Sequence, residues 1–179
     1  MAFVNETVEN DSTTVSVAVR IRPQSAKEKL AMSHICTIVN HDAPQITLGK
    51  DYSFTFDYVF NMNSVQEQVF QLLARPLIDG CLSGYNATIL AYGQTGSGKT
   101  YTMGTGVDPG VGNFEAGIIP RAVQYLFTQI AQCRSEAARK REPVPEFKVV
   151  AQFLELYNEE LVDLLDCNRV SLIYSFMVS

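Results

Sequence analysis

From Val15 to Ile21 apolar and polar residues alternate with the period of an extended chain, and Pro23 stops the run, which predicts a first strand. Gln45 to Leu48 and Ser53 to Phe56 repeat the pattern on either side of the turn residues Gly49-Lys50-Asp51. The period then changes. Val65, Val69, Leu72, Leu73 and Leu77 fall on one face of a helix that Ser64-Val65-Gln66-Glu67 opens as a capping box. Pro76 is expected to kink this helix, and Gly84 to stop it.

Ala87 to Tyr92 is almost continuously apolar, the profile of a parallel strand buried on both faces. Gly104 to Gly117 holds five glycines and one proline and reads as a surface loop. Pro120 suits a first helical turn, with Ala122, Val123, Leu126, Phe127 and Ile130 as the buried stripe behind it. Arg134 to Glu146 is charged, carries Pro143 and Pro145, and is expected to be a solvated connection. Phe147 to Tyr157 reads as a long strand, Asn158-Glu159 as a turn, and Leu161 to Leu165 as a short strand or helical turn. Strands alternating with helices imply an α/β fold around a central sheet.

Composition narrows the function. The chain has 179 residues, a single domain by length, and a net charge of −5. That charge argues against a nucleic-acid partner, which needs a basic face, and does not favour docking on an acidic filament. Cys36, Cys81, Cys133 and Cys167 are too scattered for a zinc site or a disulfide framework. The polar N-terminus lacks the apolar centre of a signal peptide, and Val170 to Val178 is too short to span a membrane. A cytoplasmic location with no membrane partner is expected.

The chemistry lies directly after the apolar run. Gly93-Gln94-Thr95-Gly96-Ser97-Gly98-Lys99-Thr100 fits G-x-x-x-x-G-K-[ST]. Its glycines free the backbone to turn successive N–H groups towards phosphate oxygens. Lys99 would place a compact charge on the β- and γ-phosphates, and Thr100 would offer a hydroxyl to Mg2+. A helix starting near Gly98 would aim its positive end at the same anion. No Asn-Lys-x-Asp run of the guanine-reading type occurs, which leans towards ATP.

Around this loop the sequence resembles the kinesin motor domain. The stretch Tyr92 to Gly104 carries the likeness, together with Val19-Arg20-Ile21-Arg22-Pro23, Phe54 to Phe60, Gly117-Ile118-Ile119-Pro120-Arg121 and Phe153 to Glu159. His34-Ile35-Cys36-Thr37 and Ala151 to Glu159 resemble the fourth kinesin class. The resemblance implies a P-loop NTPase fold, a three-layer sandwich with a central sheet flanked by helices. It also implies ATP-driven movement on microtubules in the cytoskeleton.

By the same resemblance Arg20, Arg22, Pro23 and Tyr101 hold the base and ribose. Proline and tyrosine can sandwich a flat ring, and arginine can stack on it or bond its edge. Two plainer readings stand beside this: Tyr101 packed against the sheet, and Arg22 as a surface salt-bridge partner.

The resemblance covers residues 14–166, about half of a motor domain, after a disordered 1–13 and before a divergent 167–179. No Asn-x-x-Ser-Ser-Arg-Ser-His stretch, Asp-Leu-Ala-Gly-Ser-Glu stretch or Asp-x-x-Gly run occurs. In the family these sense the γ-phosphate, position water and complete the magnesium shell. The residues thus imply ATP binding without efficient turnover. Asp163 after Leu161-Val162 could imitate a magnesium-binding strand end, though a solvated aspartate by a turn is the simpler reading.

Overall fold

The structure is a computed structural model that describes residues 2–9, 12–104 and 114–165. It divides into two compact units, Met1–Gln129 and Ile130–Ser179.

In the first unit β1 (Ala2–Glu9) pairs antiparallel with β2 (Ser12–Arg20), and β2 pairs in parallel with β6 (Tyr58–Phe60). Where a disordered 1–13 is expected, Ala2–Glu9 is instead a paired strand, with Ala2 opposite Val19 and Glu9 opposite Ser12. A short polar segment contributes little side-chain signal, but backbone pairing with an exposed strand edge satisfies its N–H and C=O groups.

A second small sheet joins β3 (Thr37–Val39), β4 (Gln45–Leu48) and β5 (Tyr52–Thr55), all antiparallel. β4 has the bounds read from the pattern. Gly49, at φ +64, makes the tight turn to β5.

The helical segment after Ser64 starts one residue later than the capping box implies. Val65 is the cap residue, and its N–H donates to Gln68 Oε1 at 3.2 Å. Ser64 turns back to Asn61, while Glu67 pairs with Arg121. Helix α2 (Gln66–Val69) passes into a π-helical turn (Phe70–Ala74) and then into α3 (Arg75–Leu82). Pro76 explains the wide turn. It has no N–H for a partner one turn back and its ring crowds that carbonyl, so the chain opens to i→i−5 spacing just before it. The Arg75 N–H accordingly donates to Phe70 O. Gly84 at φ +96 ends the helix as expected, with Tyr85 N–H returning to Gly80 O.

Val69, Phe70, Leu73 and Ala74 pack with Ala18, Phe60 and Ile118 into the core. Leu73 is 1% exposed, and enclosing a leucine so fully contributes about 2–3 kcal/mol. Val65 and Leu72, expected on the buried face, are about half exposed: Val65 is the extended cap residue outside the helix, and Leu72 lies in the π turn, which rotates the stripe.

Residues 87–92 differ most from expectation. They form no strand ladder beyond a single bridge at Tyr92. Ile89 packs on the core while Leu90 and Tyr92 are exposed, so burial on both faces is corrected to burial on one.

Helix α4 (Lys99–Met103) follows the glycine-rich loop. Helix α5 (Ile118–Lys140) accepts Pro120 in its first turn and runs seven residues into the segment read as a connection. Arg134 to Lys140 are mostly strong helix formers, and Pro143 lies beyond them, so nothing breaks the helix before Arg141 at φ +60. Of the expected stripe, Ala122 packs on the core and Ile130 is buried, whereas Val123 and Phe127 are half exposed; Ile118 and Tyr125 pack on the core in addition.

In the second unit β7 (Leu154–Tyr157) and β8 (Glu160–Asp163) form a hairpin. The long strand expected from Phe147 is thus four residues, since 147–153 find no ladder partner. The tail 167–179 lies outside the described residues.

Candidate functional site

Three segments of the first unit meet around one cavity. The end of β2 brings Arg20 and the extended Ile21-Arg22-Pro23; the loop before α2 brings Met62 and Ser64. The glycine-rich loop and α4 bring Gly96, Ser97, Gly98, Tyr101 and Thr102. The cavity volume is about 580 Å³, within the range of small-ligand and cofactor pockets.

The loop owes its shape to its glycines. Gly96 and Gly98 stand at φ +78 and +98, where an L side chain would be strained, and Gly98 is the cap of α4. Ser97 N–H donates to Gln94 O at 3.1 Å, and Lys99 Nζ donates to Gly93 O at 2.7 Å and Gln94 O at 3.0 Å. The ammonium thus closes the loop on two neutral carbonyls. Phosphate oxygens would be stronger acceptors for the same donors.

Ser97 lines the cavity, and its Oγ is buried with no hydrogen-bond partner among the described residues, an orphaned polar atom beside the loop. Thr100 is exposed on the first turn of α4, next to Lys99. These features fit a bound nucleoside triphosphate and its metal. Among the described residues no group of three or more His, Cys, Asp or Glu side chains could hold a metal by itself. No helix among them is long and apolar enough to cross a membrane.

Arg20, Arg22, Pro23 and Tyr101 are all among the residues that line this cavity. The two arginines are committed differently from each other. Arg20 Nη1 donates to Gln66 Oε1 at 2.7 Å and to Thr102 Oγ1 at 3.0 Å, and Nη2 donates to Ser64 O at 3.1 Å. Its guanidinium lies 5.3 Å from the centre of the Tyr101 ring. Burial pushes the Arg20 pKa down from its ordinary value, partly opposed by Tyr101.

Arg22 makes a two-pronged pair with Glu28, at 2.8 and 2.5 Å, and also donates to Pro23 O at 3.0 Å. The salt-bridge reading of Arg22 is therefore realised, at the rim of the cavity. Tyr101 is half exposed rather than packed into a core.

Two contributors were missed from the sequence. Ser25-Ala26-Lys27-Glu28 is a capping box that opens α1 (Ala26–Leu30), with Glu28 N–H donating to Ser25 Oγ at 3.3 Å and Ser25 N–H to Glu28 Oε2 at 2.7 Å. The signal was present and places Glu28 against Arg22. Gln66, only 3% exposed, carried no signal beyond its place in a helix start.

The kinesin motor domain profile matches residues 20–175, past the point at 166 where the resemblance was read to stop. The human kinesin-like protein KIF21A is 57% identical over 159 residues, 89% of this chain and 10% of that protein. A Drosophila kinesin family member, Kin10/NOD, solved in complex with divalent manganese and ADP, superposes with a TM-score of 0.67 at 30% identity. That match covers 83% of this chain and 47% of the solved one. A fast kinesin, solved with implications for ATPase mechanism and interactions with microtubules, gives a TM-score of 0.72 at 34% identity over 84% and 40% of the two chains. The chain spans about a tenth of the curated relative and less than half of each solved chain. With a family match across most of its length and the P-loop NTPase fold of its solved neighbours, this chain belongs to the kinesin motor domain family.

Proposed function

We propose that this chain binds Mg2+·ATP as part of a microtubule motor domain of the kinesin type, in the cytoplasm and on the cytoskeleton. The observation that carries this reading is the cavity of about 580 Å³, whose lining brings Gly96, Ser97 and Gly98 together with Arg20, Pro23 and Tyr101. Its lining joins a glycine-rich loop suited to phosphates with a proline and a tyrosine suited to a flat ring. The solved relative that holds ADP and manganese supports the same ligand class.

In this reading Gly93 to Thr100 surround the phosphates. Lys99 exchanges its two loop carbonyls for the β- and γ-phosphate oxygens, and the orphaned Ser97 Oγ gains a partner. The metal, held by Thr100 and the phosphates, supplies charge neutralisation of the triphosphate. Pro23 and the Tyr101 ring border the base, and Arg20 backs the tyrosine.

A second reading concerns turnover. The polypeptide 1–179 holds ATP without hydrolysing it efficiently, which its lack of an Asp-x-x-Gly run favours. Asp163 Oδ1 accepts from Leu165 N–H at 2.9 Å, a local turn contact at the end of β8 that supports reading it as an aspartate beside a turn.

The test is equilibrium binding of a fluorescent ATP analogue with magnesium, beside Lys99→Ala. Saturable binding that weakens by about 100-fold in the variant is expected, because a charge-assisted contact to two phosphates is lost. Equal binding by the two proteins would defeat the assignment. Phosphate release measured with and without microtubules separates the two readings, since stimulated release contradicts the second.

A further inference from the structure

Gln66 and Thr102 are the buried polar side chains among the described residues, at 3% and 1% exposure. Neither has a part in grasping phosphate, yet both close on the same group. Gln66 Oε1 and Thr102 Oγ1 each accept from Arg20 Nη1, at 2.7 and 3.0 Å. Gln66 spends its two amide hydrogens elsewhere: Nε2 donates to Tyr101 O at 2.7 Å and to Glu115 O at 3.1 Å. One amide therefore joins the end of β2, the backbone of α4 and the segment that leads into α5.

The consequence is directional. Tyr101 is held twice, by its carbonyl through Gln66 and by its ring through the Arg20 guanidinium, which Gln66 itself orients. Arg20 and Tyr101 line the cavity; Gln66 does not. A buried amide with both donors and its acceptor engaged is costly to misplace, so its partners are fixed in turn. Only an amide meets the demand, since Arg20 requires an acceptor while two carbonyls require donors.

We propose that Gln66 is a positioning residue for the base end of the nucleotide pocket, acting through Arg20 and Tyr101. The inference rests on the nucleotide site proposed above. It separates the two ends of the ligand: the phosphate loop is built from its own glycines and Lys99, and makes no hydrogen bond to Gln66. Loss of the amide should weaken recognition of the base and leave recognition of the phosphates.

The experiment compares Mg2+·ATP with magnesium tripolyphosphate, which has no base, as competitors for the fluorescent analogue. Gln66→Met keeps the volume and removes the amide. About a tenfold loss in ATP affinity is expected, with tripolyphosphate affinity within about twofold of wild type. Thr102→Val, nearly isosteric, removes only one acceptor from Arg20 and should give a smaller selective loss, about threefold. It decides the matter if Gln66→Met fails to fold.

An unchanged ATP-to-tripolyphosphate ratio in the folded variants overturns the proposal, as does an equal loss of both ligands, the signature of a purely structural role. If wild type binds neither ligand, the nucleotide site itself is refuted and this inference falls with it. Selective loss in either variant supports it.

Discussion

Gly104 and Gly117 lie backbone against backbone. A Cβ built on Gly104 would sit 2.7 Å from Gly117 Cα, and one on Gly117 would sit 2.4 Å from Gly104 N. Gly104, at φ +69, is also the cap of α4, so this contact ties the end of the phosphate-loop helix to the start of α5. No other residue type fits either position without moving main chain.

Gly104→Ala should therefore destabilise the fold by roughly 3 kcal/mol, combining left-handed strain with overpacking against backbone. Gly49→Ala is the control. It shares the positive φ, at +64, but its added Cβ meets nothing within 4 Å, so about 1 kcal/mol is expected. Urea unfolding of the two variants checks this; equal losses would mean that the close approach has no energetic weight.

That contact also marks what a sequence can convey. Glycine enrichment between 104 and 117 announced a loop, yet the need for glycine at its two ends arises from a meeting of distant backbone segments. The glycine-rich loop was legible because its pattern is local: eight consecutive residues carry the conformation and the chemistry proposed for it. From the sequence, Arg20, Pro23 and Tyr101 enter the proposed site only through resemblance, and Gln66 not at all, since its value lies in contacts 35 and 49 residues away. Residues 87–92 failed for a related reason. Apolar character marks a strand, but a strand exists only where neighbours complete its ladder. The N-terminal ladder of β1 reverses the case, with pairing present where composition announced none.

The Arg22–Glu28 pair carries a pH signature. Hydrogen bonding from Arg22, then from Ser25, holds the Glu28 carboxyl down to about 2, against an ordinary value of 4.5. An acid with a depressed folded-state pKa stabilises fully above its unfolded value and loses that contribution as pH falls towards the folded one. The difference in urea midpoint between wild type and Glu28→Gln should stay constant down to about pH 5 and shrink progressively between about pH 4.5 and pH 2. A difference independent of pH across that window would show that the carboxylate charge contributes nothing.

The β7–β8 hairpin turns on Asn158 and Glu159, at φ +50 and +68, with Tyr157 opposite Glu160. Two positive φ angles in a two-residue loop demand Asn-Gly rather than Asn-Glu. Glu159→Gly should relieve left-handed strain by more than it adds in chain entropy, stabilising the hairpin by about 0.5 kcal/mol. Amide hydrogen exchange across β7 and β8 should slow about twofold; faster exchange would show that Glu159 is not strained there.

The most direct test of the central claim is to map amide chemical shifts while Mg2+·ATP is added to the isotope-labelled protein. Signals of the phosphate loop, Gly96 to Thr100, and of the β2 end with its following segment, Arg20 to Gln24, should move together and saturate at one ligand concentration. That result places a single nucleotide along the cavity. Movement of the loop alone, or of neither segment, would contradict the account.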